Sequence, residues 1–441
     1  MFPYAIKKFF FPVHEFLKGH SSISRLRHLE RLQWLTKDEM KQLQIEKFHK
    51  LCGFVQENVP YYKGLLDSNS NISEIPFLTK KIIKKNIKNM YSKKAHGLVR
   101  SNTGGSTGEP LTFYLGKRRI SADIAGKLRA TRWWGVDIGD PEIVIWGSPV
   151  ELTRQDKARN LRDWLFRTKL LSAFNMSEET MLRYLNIIKS YRPKHVFGYP
   201  SSIFLLCRYA RQKNIRLDNL GTKVVFCTAE KLYDHQREMI SETFSAPVAN
   251  GYGGRDSGFI AHECPRGGMH IAAENIVVEI VDHEGNSRPS GCRGEIVITH
   301  LDSHDFPFIR YKTGDIGSLS EDICPCGRGL PLLKDIEGRT TDFIITSDKK
   351  IMHGLSLIYI LREINGIEEF RIVQEEVDLF SVSIVKNSSF GSDSEEVIRK
   401  GFKDRIGSDV KIRFNYQQKI EPEKSGKFRY VVSKVPQPYI T

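Results

Sequence analysis

A chain of 441 residues is too long for one hydrophobic core, so two or three domains are expected. Hydrophobic residues at 40% and charged residues at 27% fit a folded soluble protein, and no apolar run has the length of a bilayer-spanning helix. The formal net charge of +15 draws anions of every kind, but no RNA-binding aromatic motif or helix-turn-helix pattern accompanies it, so basicity alone does not indicate nucleic acid.

The chain opens with "MFPYAIKKFFFPVHEF", where Pro3, Lys7, Lys8 and Pro12 interrupt any signal-peptide core. The segment suits packing on its own domain, the preferred reading, or peripheral contact with a membrane surface. Residues 1–100 read mainly as helix. Within them "TKKIIKKNIKNMYSKK" (79–94) sets Ile83, Ile87 and Met90 at helical spacing with lysines around them, as in a solvated amphipathic helix.

Residues 101–113, "SNTGGSTGEPLTF", form a loop of glycines and hydroxyls whose amides suit phosphate oxygens. It is not a P-loop, because Gly108 is followed by Glu109 and Pro110 instead of Lys and Ser or Thr. Beyond it, "PEIVIWG", "KHVFG" and "TKVVFCT" are short buried-strand runs alternating with helical patterns, which indicates α/β architecture with a largely parallel sheet. From 269 to 320 the texture is β-rich. A second unit follows from about 340. It comprises a helix at "LSLIYILREI", strands at "EEFRIVQ" and "DLFSVSIV", a helix with Val397, Ile398, Phe402 and Ile406 on one face, and a strand at "DVKIRFNY". The predicted division is 1–340, a large domain with a helical start, and 341–441, a small α+β domain.

Seven cysteines, an odd number, and the lack of a secretory leader point to a reducing cytoplasm. "HECPRGGMH" offers Cys264 and His270, with His262 as an alternative, and "CPCG" offers Cys324 and Cys326. Four such ligands suit a closed, structural tetrahedral Zn²⁺ site. Cys52, Cys207 and Cys227 lie in apolar elements and read as core.

Four further patches are bland one by one: "VANGYGGRDSG" (248–258), "FIRYKTGDIG" (308–317), "IEGRTTDFI" (336–344) and "EKSGKFRYV" (423–431). In this order, together with "QWLTKDEMKQLQ", "VPYY", "FGYPSSI" and "CPCGRGLP", they resemble the adenylate-forming superfamily over nearly the whole chain. The branch they resemble is that of phenylacetate–CoA ligases, which includes CapK-type proteins associated with capsule polysaccharide. The resemblance implies a large AMP-binding domain with a mobile α+β lid. It also implies ATP- and Mg²⁺-dependent activation of a carboxylic acid as an acyl-adenylate, followed by transfer to coenzyme A or to an amine acceptor. A non-catalytic nucleotide- or glycan-binding descendant is the alternative of another class. A nucleic-acid partner is set aside, because it leaves the ordered motifs without a purpose.

By resemblance, Thr103, Gly104, Gly105, Ser106, Thr107 and Gly108 wrap the β- and γ-phosphates. Ala229 and Glu230 lie beside the adenine, with Asn250, Gly251, Tyr252 and Gly253 at its edge and face. Asp315 grips the ribose, Arg339 lies near the nucleotide, Asp342 is the hinge and Lys427 reaches the reacting phosphate. Asp256 stands where relatives carry a magnesium-binding glutamate, and Glu109 replaces a lysine; Arg255 and Lys312 are candidates to restore positive charge. Phe197, Gly198, Tyr199 and Pro200, with Trp133, Trp134 and Trp146 as weaker candidates, border the expected acid pocket or pack in the core.

Overall fold

The computed structural model describes residues 2–102, 111–147, 157–173, 176–282, 284–337, 343–348, 351–420 and 430–435. The backbone divides into two compact units, 1–103 with 111–139 and 249–338, and 104–110 with 140–248 and 339–441.

The first unit starts with the expected helices, including Ser22–Leu32, Lys37–Asn58, Lys80–Asn86 and Lys117–Trp133. Thr36 starts the longest of them with a capping box: its hydroxyl accepts from Glu39 N at 3.3 Å, and Glu39 Oε2 accepts from Thr36 N at 2.8 Å. That helix buries Met40, Phe48, Leu51 and Val55. In the lysine-rich run, Ile83 and Met90 are buried as expected, but the helix ends at Asn86, where the Nδ2 donates back to Ile82 O at 2.9 Å.

The β-rich part is an antiparallel array whose strands lie in the order Ile276–Val281, Gly294–His300, Tyr311–Ser320, Leu332–Glu337, Met269–Ile271, Gly258–Glu263 and Val248–Gly254. One core joins residues from the N-terminal helices, such as Leu51, Val55 and Ile83, to Ile276, Ile296, Ile298 and Phe308. Buried Asp302 ties three distant segments together. It accepts from Arg25 Nη1 at 2.9 Å, Lys47 Nζ at 3.0 Å and Arg118 Nε at 2.9 Å. Burial works against the Asp302 charge, but these cations outweigh it and hold the carboxyl far below its usual range.

In the second unit, four parallel strands stand in the order Val224–Thr228, His195–Gly198, Glu142–Trp146, Thr168–Ser172. Their apolar runs are buried against helices Glu178–Tyr191, Pro200–Gln212 and Asp234–Phe244, as parallel crossovers require. The C-terminal elements occur where the periodicity places them. Strands Ile367–Gln374 and Leu379–Lys386 form a hairpin, and Lys411–Tyr416 and Val431–Ser433 add in parallel on its two sides. Helix Ser394–Ile406 buries Ile398, Phe402 and Ile406, at i, i+4 and i+8. Val397, expected on that face, is 48% exposed, since one step along a helix rotates a side chain by about 100°.

Candidate functional site

Strands Val248–Gly254 and Gly258–Glu263 are joined by a turn at Arg255–Ser257. The hairpin is so close that a Cβ on Gly253 would lie 2.2 Å from Gly258 O, and Gly258 itself takes φ +80°. Both positions therefore demand glycine. Asn250 is held by its backbone N–H, which donates to Glu263 Oε2 at 2.7 Å. Gly251 pairs with His262 across the hairpin.

Strand Tyr311–Ser320, further along the same array, carries a bulge at Gly314 (φ +80°). Thr313 Oγ1 accepts from Asp315 N at 3.1 Å and donates to Ile296 O at 2.8 Å, which fixes the backbone that presents Asp315. Two tyrosine–aspartate pairs then cross between the segments. Tyr252 Oη donates to Asp315 Oδ2 at 3.0 Å, and Tyr311 Oη donates to Asp256 Oδ2 at 2.6 Å. Burial, then the Asp315 charge, push the Tyr252 phenol well above its ordinary pKa, so it stays a donor. Each segment has the spacing Tyr-x-x-x-Asp, and each tyrosine serves the other segment's aspartate.

Behind the turn stands a group that the sequence reading missed. Arg119, on helix Lys117–Trp133, is fully buried with its guanidinium over the Phe308 ring at 5.0 Å. Its Nη2 donates to Asp256 O at 2.5 Å and Arg255 O at 3.4 Å, and its Nε lies 3.6 Å from Asp123 Oδ2. Asp123 Oδ1 is 3.3 Å from His300 Nε2. A Cβ on Gly258 would meet that same Oδ1 at 2.7 Å, a second reason for glycine there. Burial disfavours the Asp123 charge, but His300 and Arg119 outweigh it, so the carboxyl lies below its usual range. Burial, then Arg119, lower His300, which is therefore a neutral imidazole. The small residues Ala122, Ala125 and Gly126 on the same helix are the one sequence sign that this face packs closely. Of the two cations proposed to offset Glu109, Lys312 is paired with Glu295 at 3.0 Å, whereas Arg255 is exposed on the turn.

In the second unit, Ala229 follows strand Val224–Thr228 with φ +69°, a left-handed conformation that a glycine adopts without strain. Glu230 reaches the first turn of helix Pro200–Gln212, where its carboxylate accepts from Ser201 N at 3.3 Å and from the Ser201 hydroxyl. This brings Ala229–Glu230 beside Phe197, Gly198, Tyr199 and Pro200. Gly198 is required there, since a Cβ would lie 2.5 Å from Ile145 O. Tyr199 is buried and stacks on Trp146 at 4.2 Å, with Phe197 5.9 Å from the same indole. Trp133 and Trp134, in the first unit, are engaged elsewhere: Trp133 Nε1 donates to Gln33 Oε1 at 2.8 Å, and Trp134 Nε1 donates to Glu263 O at 3.1 Å. Thr103 to Gly108, Glu109, Arg339, Asp342 and Lys427 lie outside the described residues.

The cysteine motifs converge in the first unit. One donor atom each from Cys264, His270, Cys324 and Cys326 lie within 4.8 Å of one another, and His262 is not among them. Cys264 Sγ is 3.6 Å from Cys324 Sγ, and Cys326 Sγ is 3.2 Å from His270 Nε2. All the cysteines are free thiols. Glycines make the approach feasible: Gly267 and Gly327 take φ +81° and +79°, and a Cβ on Gly268 would lie 2.6 Å from Cys324 Sγ. His270 Nδ1 is 3.2 Å from Leu330 O, which orients Nε2 toward the thiols. Burial lowers the His270 pKa to about 4 and raises that of the Cys264 thiol to about 12. A neutral imidazole and three soft sulfurs fit Zn²⁺, whose charge would favour the Cys264 thiolate that burial opposes. Cys52, Cys207 and Cys227 are buried, as expected of core residues.

Residues 344–434 match the CapK C-terminal domain family. Over 416 residues, 90% of each protein, the chain is 26% identical to Protein CapK of Staphylococcus aureus. It is 25% identical over 333 residues to the phenylacetate-coenzyme A ligase of Thermus thermophilus, covering 71% of this chain and 73% of that protein. Among solved structures it resembles 2-hydroxyisobutyryl-CoA ligase in complex with 2-HIB-AMP and CoA in the thioesterification state. That likeness has TM-score 0.61 at 19% identity over 90% of each chain. The postadenylation state of the same ligase gives 0.59 over 92% of each. The fold expected from the motifs is therefore the fold found.

Proposed function

From a chain akin to CapK and the phenylacetate–coenzyme A ligases, and built on the fold of adenylate-forming ligases, we propose an enzyme that activates a carboxylic acid with ATP. A carboxylate oxygen attacks the α-phosphorus, the α–β bridging bond breaks and pyrophosphate departs, leaving an acyl-adenylate. A nucleophile then attacks the acyl carbon and AMP leaves. The observation that carries this reading is the crossed bracing of Tyr252–Asp315 and Tyr311–Asp256 across 63 and 55 residues of sequence. It gives the two segments assigned to adenine and ribose one fixed geometry, which a reaction needing in-line attack requires.

In this reading the Tyr252 ring stacks on the base, Asn250 meets its edge, and Asp315 accepts the ribose hydroxyls through a charge-assisted bond. Arg119 is a positioning residue that holds the backbone of the Asp256 turn. Asp256 would hold Mg²⁺, a role one carboxylate fills when phosphates and waters complete the shell. Bound there, the ion neutralises phosphate charge. On the second unit, Ala229, Glu230 and the Phe197–Pro200 segment keep the adenine and acid-pocket roles that the resemblance implies. Residues 103–108 take the terminal phosphates, Arg339 lies near the nucleotide, and residues 341–441 are the small domain that turns on Asp342 and carries Lys427. Cys264, His270, Cys324 and Cys326 would hold Zn²⁺ with no open position, a structural role.

Coenzyme A is the acceptor favoured by similarity to phenylacetate–coenzyme A ligases. The resemblance to CapK-type proteins implies a second reading, acyl transfer to an amine during surface-polysaccharide assembly. Pyrophosphate exchange with a panel of aryl, acyl, amino and uronic acids, followed by thiol or amine capture, tests both. Exchange with one acid class is expected. Tight ATP binding with no exchange for any acid would instead favour a non-catalytic nucleotide binder.

A further inference from the structure

The N-terminal segment is held to its unit on one side only. It runs through Phe2–Ala5, a π turn at Ile6–Phe10 and helix Phe11–Lys18. Ile6 is buried, its Cβ 3.2 Å from where a Cβ on Gly139 would stand, and Lys7 pairs with Asp137. The other side is exposed and strongly apolar. Tyr4 is 68% exposed, Phe9 62%, Val13 42%, Phe16 82% and Leu17 76%. Phe9, Val13, Phe16 and Leu17 follow one another at i, i+4, i+7 and i+8, which makes a single helical stripe. A cluster of large apolar side chains left in water marks an interaction site.

Charge decides between occupants. The remaining exposed side chains of the segment are Lys8 and Lys18, and the next helix exposes Arg27 and Arg31. The segment's one acid, Glu15, is turned inward and buried. Its carboxylate accepts from Ser22 N at 3.0 Å and stands 3.5 Å from His20 Nδ1. The exposed face is therefore apolar and basic with no acidic group. A second copy would bring the same positive face against itself. An anionic lipid surface complements both properties, because aromatic and aliphatic side chains enter the acyl boundary while lysines meet headgroup phosphates. No helix among the described residues is long and apolar enough to cross a membrane, so the segment would lie on the surface.

We propose that residues 4–18 dock this protein reversibly on an anionic phospholipid bilayer, with Phe9, Phe16 and Leu17 inserted and Lys8 and Lys18 at the headgroups. The test is flotation of the full chain with vesicles of phosphatidylcholine alone and of phosphatidylcholine with one quarter phosphatidylglycerol. Binding to the anionic vesicles, weakening as salt rises, is expected. Lys8→Gln with Lys18→Gln should weaken it about 25-fold, at about fivefold per basic group. Phe16→Ser with Leu17→Ser should weaken it roughly tenfold or more at each position. Both pairs should leave the thermal midpoint and pyrophosphate exchange unchanged. Binding equal on neutral vesicles, binding unaffected by either pair, or no binding at all would overturn the proposal. So would a dimer, seen by sedimentation velocity, that the apolar pair abolishes.

Discussion

Arg119→Met tests whether the buried group behind Asp256 works as described. Methionine keeps much of the aliphatic volume, so the change removes charge and donors more than bulk. Breaking a buried ion pair from one side costs about 3–5 kcal/mol, because Asp123 is left with its charge and less compensation. Loss of the guanidinium over Phe308 adds about 1 kcal/mol. Against this, Arg119 Nε and Nη1 make no hydrogen bond in the folded protein, and removing two such buried donors returns about 2 kcal/mol. The net expectation is a loss of about 2–4 kcal/mol at pH 8. The pH dependence is the sharper readout. In the wild type, burial and Arg119 depress His300, so its neutral form is a stability that fades as pH falls below the unfolded value of about 6.5. In the variant the Arg119 charge is gone while burial still opposes the imidazolium and Asp123 still favours it, so His300 is depressed less. Its contribution therefore fades less as pH falls below the unfolded value. This narrows the gap between the proteins in acid. Urea unfolding at pH 8 and pH 6 measures it. A loss under about 1 kcal/mol at pH 8, or a larger loss at pH 6, would refute the assigned electrostatics.

Asp315→Ala should weaken ATP binding roughly 10–100-fold and erase discrimination against 2′-deoxy-ATP, as read by calorimetry, because a charged acceptor of ribose hydroxyls is lost. Retained discrimination would remove Asp315 from the ribose. Lys427→Ala should slow adenylation roughly 10²–10³-fold while sparing acyl transfer from a supplied adenylate; equal slowing of both half-reactions would deny it the phosphate role. Metal analysis should find zinc in the purified protein, with Cys324→Ser losing metal and melting earlier; no metal in either ends the structural-zinc reading. Asp302→Asn should destabilise by about 3–5 kcal/mol near neutrality, since three cations lose one buried carboxylate. The folded pKa of Asp302 is depressed, so wild-type stability from it is present above its unfolded value of about 3.9 and fades below, which makes the two proteins converge in strong acid.

Periodicity made the C-terminal elements legible. Alternation along Leu379–Lys386 and the 398, 402, 406 spacing each have one physical solution, although the same pattern admitted Val397, one position out of phase. The Cys and His positions were legible because each motif is local and turns on glycines. The choice between His262 and His270 was not, since they face each other across two strands and only the register decides which ring meets the thiols. Arg119 and Asp123 escaped notice for a related reason. An i, i+4 ion pair on a helix reads as a solvated pair, and only packing against Gly258 and Phe308 buries it. The Tyr-x-x-x-Asp spacing was visible twice, but the exchange of partners depends on how two distant strands align. Trp146 and Tyr199 had the aromatic character of pocket walls, but their stacking on each other depends on how two separate strands align and could not be read from the sequence.

The first unit's core draws on Met40 to Phe113 and again on Ile260 to Leu333, with the parallel strands of the second unit interposed along the chain. During synthesis, helices such as Lys37–Asn58 would therefore leave the ribosome with their apolar stripes uncovered and wait for well over a hundred further residues to be translated. At roughly 5–20 residues per second that is a delay of many seconds. The interposed segment has its own hydrophobic cluster and need not wait. Truncation anywhere before residue 333 should yield an aggregating N-terminal piece, and full-length yield should respond strongly to chaperones that shield nascent helices.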